Sequence, residues 1–287
     1  MLTADKKILL NAYQKGYSIA QININNLEWA KIVLITANEL KSPIILGVSE
    51  KAADYMGGFK TVFNMVKSLD EFYKIFVPVF LHLDHGSFEG VKKALAADFS
   101  SIMFSSAGYS FEQNLIKTQE IIELCREKKV LLETEIGGIG REEDDLNFTG
   151  SFSDPKQCHL MSLLDIDMLA VSIGNMHGEY SPNWDGLNFK ILEKINKITN
   201  KKPLVLHGGT GIPDEMIKKS ISLGIAKINV NTACQLAFAK ATREHICDNK
   251  NFKDRGFELR KLFKPGFLAI KNIIKKKLRL FGSINQV

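Results

Sequence analysis

Short apolar runs alternate with longer segments of helical periodicity along most of the chain. The runs are rich in Val, Ile and Leu and do not alternate strictly with polar residues, which is typical of parallel strands buried on both faces. They lie at Ile19–Ile24, Pro43–Val48, Val77–Leu83, Ser101–Phe104, Val130–Ile136, Met168–Ile173, Pro203–Leu206 and Lys227–Val230. About eight such strand–helix units predict an α/β fold, a closed (β/α)8 TIM barrel, with an open doubly wound sheet as the alternative.

The segments between the runs predict helices. The N-terminal residues form an amphipathic pattern, Asn26 is suited to cap the helix that follows it, and Asp154 with Pro155 forms a plausible helix start. The helices predicted after the N-terminal one are Leu27–Leu40, Phe59–Phe72, Phe88–Ala96, Phe111–Lys128, Pro155–Leu164, Leu187–Ile198, Asp214–Leu223 and Ala233–Cys247. The pattern changes after Lys250, and we expect 251–287 to form basic terminal helices that pack on the barrel. Because no Pro/Gly/Ser-rich linker divides the chain, residues 1–287 are predicted to be a single domain.

Composition narrows the class of protein. The 287 residues are 45% hydrophobic and 24% charged, which excludes a disordered, collagenous or mucin-like chain. The net charge of +6 suits a nucleic acid, an anionic surface or a phosphorylated small molecule. The four cysteines lie far apart without a CxxC pair, which predicts reduced thiols in a cytoplasmic protein. No apolar run approaches the ~20 residues needed to cross a bilayer, so we expect no membrane partner.

Unusual polar residues gather where the predicted strands end. These strand ends are His82-Leu83-Asp84-His85-Gly86, Glu133-Thr134-Glu135, Asn175-Met176-His177-Gly178, His207-Gly208-Gly209-Thr210-Gly211 and Asn229-Val230-Asn231-Thr232. In a barrel the carboxyl ends of all strands meet at one face, where the catalytic groups of barrel enzymes lie. The sequence therefore predicts one active site built from several strands.

Three of the six histidines, His85, His177 and His207, each precede a glycine at such a strand end. Three histidines with an open fourth position form a catalytic zinc arrangement, although a lone histidine of this kind is more often a core or loop residue. Asp84 is either an acid/base beside the metal or a helix N-terminal carboxylate. By strand period, Glu133 and Glu135 share a face, and one of them is predicted to be a carboxylate in the barrel interior or near the metal.

Two loops are candidates for function. The segment from His207 to Pro213 ends a strand and opens a helix, so its backbone amides predict an anion site, to which Asn229 and Thr232 add donors. This segment could instead be a simple turn. The connection after Gly137 is long, glycine-hinged and acidic, which indicates either a lid or a solvated run of charge.

Together these blocks resemble the class II, metal-dependent fructose-1,6-bisphosphate aldolase family over essentially the whole chain. The resemblance extends from QININNLE through SPIILGVSE, HLDHG, the GGxxREED loop, LHGGTGIP and KINVNT to the terminal FGS. It implies a TIM barrel, an oligomer of two or four subunits, Zn2+ as cofactor, and a monovalent cation (Na+ or K+) near the substrate. The partners it implies are a sugar bisphosphate and triose phosphates.

The resemblance also implies roles for single residues. His85, His177 and His207 match the zinc ligands, Asp84 matches the acid/base at the C4 hydroxyl, and Glu143 matches the mobile-loop carboxylate that exchanges the carbon-bound proton. Asn229 matches the residue bonded to the enediolate, and Arg260 resembles the basic group for the second phosphate. The positions that match the triose-phosphate cradle are Gly178, Gly208, Gly209, Thr210 and Thr232, and those that match further substrate contacts are Asn23, Ser49 and Asn231.

The chain also departs from the family pattern. Ser105 stands where the family has an Asp that joins a carboxylate matching Glu135 in a second metal site, and Arg141 stands where the catalytic loop has a second glycine. With these differences, the sequence does not decide whether the second metal site is present or how the catalytic loop works. It is compatible with a zinc-binding paralogue of reduced activity. In the family, the position that Asn231 matches tends to be polar in fructose enzymes and small in tagatose enzymes, so the resemblance favours fructose 1,6-bisphosphate over the tagatose isomer. The basic charge is compatible with a nucleic-acid-binding protein, but the sequence contains no recognition motif for that function.

Overall fold

The computed structural model describes residues 2–138, 151–248 and 257–287. Its strands are β1 (Ile19–Asn23), β2 (Ile44–Val48), β3 (Val79–Gly86), β4 (Ser101–Phe104), β5 (Leu131–Ile136), β6 (Met168–Val171), β7 (Leu204–Leu206) and β8 (Ile225–Val230). They pair in parallel, each with the next in the chain, and β8 pairs with β1 to close the barrel. The predicted TIM barrel is confirmed, and the open doubly wound sheet is wrong.

Helices cover the outside of the sheet. Those up to β5 are α1 (Lys6–Lys15), α2 (Leu27–Glu39), α3 (Glu50–Tyr55), α4 (Phe59–Phe72), α5 (Phe88–Ala96) and α6 (Phe111–Lys128). Those after β5 are α7 (Pro155–Ser162), α8 (Phe189–Ile198), α9 (Asp214–Ser222), α10 (Thr232–Asp248), α11 (Leu259–Leu262) and α12 (Lys264–Leu280). None of the helices within the described ranges is long and apolar enough to span a membrane.

Local sequence signals explain several helix starts. Asn26 caps α2 by accepting a hydrogen bond from Trp29 N, and Asp154 caps α7 in the same way from Lys156 N. The apolar pattern does not predict the short helix α3, although Ser49 caps it through Ala52 N. The terminal helix α12 packs on α10 and α2. That the whole segment 251–287 forms helices packed on the barrel stays a prediction. That residues 1–287 form one domain stays a prediction.

The barrel interior changes from apolar to polar along the strand direction. The end of the barrel at which the strands begin is filled by apolar residues such as Ile19, Phe80 and Leu131, and Leu9 of α1 closes it. Two residues further along each of these strands, the inward-facing residue is polar. The next inward-facing residue, two positions beyond it, lies at the end of the strand where the candidate site is. Side chains of a strand alternate between its faces, so one inward row per strand runs from the core into the site. A second, larger apolar cluster lies between the sheet and the helices.

Candidate active site

A cavity of about 310 Å³ opens at the carboxyl ends of the strands. The predicted site residues that line it are Asn23, Ser49, Asp84, His85, His177, Gly178, Gly208, Thr210, Asn229, Asn231 and Thr232. Glu50 and Lys51 also line it, and no sequence motif predicted a role for them. Both lie on α3, whose existence the apolar pattern did not reveal.

The end of β3 brings two consecutive side chains, those of Asp84 and His85, to the cavity. Neighbouring residues of a regular strand point to opposite faces, so a regular β3 would present only one of them. The register with β4 shifts between Leu83 and Gly86, and His85 has a left-handed φ of 51°. Such irregularities redirect side chains at strand ends, and a positive φ outside glycine is a strained conformation found at functional sites. The backbone thereby places acid/base and metal-ligand candidates side by side.

The three predicted ligand histidines meet in this cavity. One nitrogen from each of His85, His177 and His207 lies within 4.8 Å of the others, and among the described residues they are the group that could hold a metal ion. Their ring centroids lie 4.7 to 5.6 Å apart in edge-to-face arrangements. With Zn–N bonds of about 2.1 Å, two ligand nitrogens on one ion lie at most about 4.2 Å apart, so small rotations would bring all three to a zinc ion. The donor set and its spacing fit zinc.

Below the histidines lies a buried chain of charged groups. Glu133 Oε1 is 2.9 Å from His207 Nε2, and Glu133 Oε2 accepts a hydrogen bond from Lys227 Nζ at 2.7 Å. All three side chains are fully buried. Burial holds the pKa of His207 well below its ordinary value, so the ring is neutral. Because a carboxylate only accepts, the proton lies on Nε2. The lone pair of Nδ1, which in this structure accepts a hydrogen bond from Asn229 Nδ2 at 3.1 Å, is the one that can bind a metal.

His82 lies beside the same carboxylate, with Nε2 3.7 Å from Glu133 Oε2. Its Nδ1 is 2.7 Å from Ser101 Oγ. Burial, reinforced by the nearby Lys227 ammonium, lowers the pKa of His82 to about 3. His82 is therefore a neutral residue of the barrel interior below the candidate metal ligands.

Asp84 is held from two sides by amide groups. Asn23 Nδ2 donates to Asp84 Oδ2 at 2.9 Å, and Asn229 Nδ2 donates to Oδ1 at 3.3 Å. Burial by itself would raise the pKa of Asp84, but electrostatic interactions, with His85 first and with the Lys227 ammonium among the others, outweigh it and leave this pKa lowered. Asp84 is therefore an ionised carboxylate, fixed in orientation and able to accept a proton.

The glycine-rich loop after β7 lies at the other side of the cavity. Gly208 has a φ of 68°, and a Cβ there would come within 1.9 Å of the Met176 carbonyl oxygen. Gly209 lies against β8, to which its N–H donates through Asn229 O at 2.9 Å. Thr210 Oγ1 accepts from the first turn of α10, through Ala233 N at 3.1 Å. Glycine is needed at Gly208 because the backbone of Met176 occupies the space that a side chain would fill.

Two further predicted residues, Glu135 and Arg260, do not belong to the cavity lining. Glu135 Oε1 accepts from Ser105 Oγ at 2.9 Å and from Ser106 N at 3.1 Å, and its Oε2 lies 3.9 Å from His85 Nδ1. The side chain of Arg260, on α11, is 89% exposed, lies next to Glu258 and does not line the cavity. Glu143 and Arg141 lie outside the described residues.

The charged chain beneath His207 is only partly predictable from the sequence. The alternation of side chains along a strand predicts that Glu133 or Glu135 is an interior carboxylate but does not decide which. Lys227 is predicted only as the first residue of a strand. The signal for Lys227 is its place two residues before Asn229 on β8, which puts both side chains on the inward face. A lysine at such a position requires an anionic partner in the barrel interior.

Known proteins resemble this chain over its whole length. A family profile described as "Fructose-bisphosphate aldolase class-II" matches residues 3–286. The fructose-bisphosphate aldolase of Mycoplasma pneumoniae is 48% identical over 288 residues, with 100% of both chains covered. That of Ureaplasma parvum is 46% identical over 283 residues, covering 98% of this chain and 97% of the relative. The solved YdjI aldolase of Escherichia coli K12 aligns with a TM-score of 0.83 at 30% identity, covering 99% of this chain and 98% of that one.

The family is zinc-dependent in general, in agreement with the histidine cluster. The resemblance inferred from the sequence motifs is confirmed: this chain belongs to the class II fructose-bisphosphate aldolase family.

Proposed function

We propose that this chain is a glycolytic and gluconeogenic lyase that reversibly cleaves fructose 1,6-bisphosphate to dihydroxyacetone phosphate and glyceraldehyde 3-phosphate. The observation that carries the proposal is the joint placement of the histidine cluster and the ionised Asp84 in one cavity. His85, His177 and His207 would hold the zinc ion. When bound, zinc supplies a Lewis acid that stabilises the negative charge left on the ketone fragment as the carbon–carbon bond breaks.

The protein groups supply proton transfer and orientation. Asp84 removes the proton of the C4 hydroxyl during cleavage and returns it during condensation, a task for which its two amide donors hold it in place. The Asn229 amide donates to the enediolate oxygen. Glu143 exchanges the second, carbon-bound proton of the triose.

Substrate binding uses both phosphates. The triose phosphate binds in the cradle formed by Gly178, Gly208, Gly209, Thr210 and Thr232, while Asn23, Ser49 and Asn231 contact the rest of the substrate. Arg260 is assigned to the second phosphate by its match to the family pattern, although its exposed side chain does not line the cavity in this structure. Anchoring the substrate at both ends lets binding energy remote from the bond orient the reacting atoms.

Several finer assignments belong to the same proposal. A monovalent cation, Na+ or K+, assists at the phosphate cradle, and Glu135 is a candidate ligand for a second metal ion. The protein is a cytoplasmic homodimer or homotetramer. It uses neither nucleic acid nor membrane as a partner.

The test is cleavage of fructose and tagatose 1,6-bisphosphates by the purified protein, with metal content measured before and after chelation. We expect fructose 1,6-bisphosphate cleavage that EDTA abolishes and added Zn2+ restores. Preference for the tagatose isomer would move the substrate assignment to that sugar. No cleavage of either sugar by the zinc-loaded protein would overturn the proposal.

A further inference from the structure

Lys277 on α12 reaches the back of the glycine-rich cradle. Its Nζ donates to the carbonyl oxygen of Gly209 at 3.0 Å, across 68 residues of sequence. Desolvation lowers the pKa of Lys277, and the carboxylate of Asp214 only partly opposes that shift. A long cationic side chain is thus partly withdrawn from water to bind a single backbone carbonyl, an arrangement that a solvated surface lysine does not need.

The two lysines before it have different surroundings. Lys275 Nζ lies 3.5 Å from Glu39, in a surface ion pair with α2, and Lys276 is exposed to solvent. In the sequence all three belong to one basic run. Helical periodicity separates them, so that only Lys277 faces the barrel end.

The Gly209 carbonyl that Lys277 binds belongs to the peptide that leads into Thr210. In a planar trans peptide the C=O and N–H bonds point in opposite directions. With the carbonyl turned toward α12, the N–H of Thr210 points away from α12, and Thr210 itself lines the cavity. The preceding carbonyl, that of Gly208, is also held, by Tyr180 Oη at 2.9 Å.

The remaining contacts limit other orientations of this loop. Gly209 N–H is already used by Asn229 O, and a Cβ on Gly209 would come within 2.6 Å of Ile228. The loop is therefore pressed against β8 on one side. The peptide between Gly209 and Thr210 could still rotate, and the hydrogen bond from Lys277 to the Gly209 carbonyl restricts that rotation.

We propose that Lys277 is a positioning residue for the anion cradle. Its ammonium fixes the Gly209–Thr210 peptide so that the Thr210 N–H is presented to a phosphate group, and it adds positive charge behind that group. The inference rests on the proposed function, in which this cradle binds the triose phosphate.

The experiment measures binding of inorganic phosphate and of dihydroxyacetone phosphate to the zinc-loaded protein by calorimetry, together with the steady-state kinetics of cleavage. The variants are Lys277→Met, which keeps the apolar stem, and Lys277→Arg, which keeps a cationic donor. Lys276→Met is the matched control, because it removes the same charge from the adjacent position of the same helix. Zinc content and thermal unfolding are measured for all of them.

We expect Lys277→Met to raise the Kd of both ligands and the KM about tenfold, the size of one lost charge-assisted hydrogen bond, with kcat changed less. Lys277→Arg should recover most of this loss, and Lys276→Met should stay within about twofold of wild type. If Lys277→Met does not fold, Lys277→Gln, whose shorter neutral amide cannot supply the charge, should raise the Kd at least about threefold.

Unchanged ligand Kd values in the folded Lys277 variant, or equal losses in the Lys276 control, would overturn the positioning role. This outcome differs from failure of the proposed function, which would appear as absence of cleavage by the wild-type protein. Phosphate binding can be measured whether or not cleavage occurs.

Discussion

Glu133 and Lys227 form an ion pair inside the barrel, with Oε2 and Nζ 2.7 Å apart and neither side chain exposed to water. Removing one member leaves the other charge buried without compensation. We expect Lys227→Met to lower the free energy of unfolding by about 3–5 kcal/mol, and the double variant Lys227→Met/Glu133→Gln to recover much of that loss. Urea unfolding of the metal-free proteins measures both.

The control for this pair is the surface ion pair of Lys60 and Asp98, at 2.9 Å with both side chains more than half exposed. Lys60→Met should cost at most about 1 kcal/mol, because water screens the pair. If Lys227→Met costs no more than Lys60→Met, or if the effects of the two interior substitutions simply add, the interior pair does not act as described.

The same Glu133 carboxylate fixes the proton of His207 on Nε2, so its removal should weaken metal binding. We expect Glu133→Gln to reduce zinc affinity about 10–100-fold, since a neutral amide no longer demands the Nε2 proton. Competition with a chelator gives the affinity, and ¹⁵N NMR of the histidine ring gives the tautomer. Glu120→Gln, which alters a partly exposed carboxylate on α6 bonded to Lys117, is the control. Unchanged affinity with unchanged tautomer would contradict this role.

Asp84→Asn tests the proton acceptor without removing its volume. The asparagine can still occupy the space between Asn23 and Asn229, but it cannot take up the hydroxyl proton. We expect kcat for fructose 1,6-bisphosphate cleavage to fall about 10²–10⁴-fold while zinc content stays that of wild type. Asp98→Asn on the surface controls for loss of a negative charge. Near-normal kcat in Asp84→Asn would assign the proton transfer to another group.

The fold and most of the cavity lining could be predicted because parallel strands gather their carboxyl ends at one face. His177 and Asn229 follow from that geometry once strand ends are located. The pairing of Asp84 with His85 at the cavity does not, because strict alternation would separate consecutive residues. It depends on the register shift in β3 and on the left-handed His85, which no residue pattern signals.

Charge partners far apart in sequence are the second limit of prediction. Lys227 and Glu133 are separated by 94 residues, and only closure of the barrel brings them together. Lys277 is one of three consecutive lysines, and the packing of α12 decides which of them leaves solvent. In both cases the sequence does not distinguish the lysine from a solvent-exposed one, whereas in the fold the lysine binds a buried partner.

Gly208 should be among the least replaceable residues of the cradle. Its φ of 68° disfavours any side chain, and an added Cβ would meet the Met176 carbonyl oxygen at 1.9 Å. Gly16, the C-cap of α1, has nearly the same φ, 69°, with nothing within 4 Å of the added Cβ. We therefore expect Gly16→Ala to cost about 1 kcal/mol and Gly208→Ala at least about 3 kcal/mol. Urea unfolding compares them, and equal costs would show that the loop can move away from Met176.

His82 should make the protein less stable in acid. Its folded pKa of about 3 lies below the 6.5 of the unfolded chain, so below pH 6.5 only the unfolded chain takes up a proton there. The free energy of unfolding should then fall by about 1.4 kcal/mol per pH unit from this residue, as pH drops from about 6 toward 3. His82→Gln removes this proton uptake, whatever its effect on absolute stability through the lost Ser101 contact. Urea unfolding of both metal-free proteins at pH 6.5 and pH 4.5 should show wild type losing about 2–3 kcal/mol more than the variant, while the shared contribution of His207 cancels. Parallel losses in the two proteins would mean that His82 binds its proton equally well in the folded state, and that the polar interior admits a charge at this position.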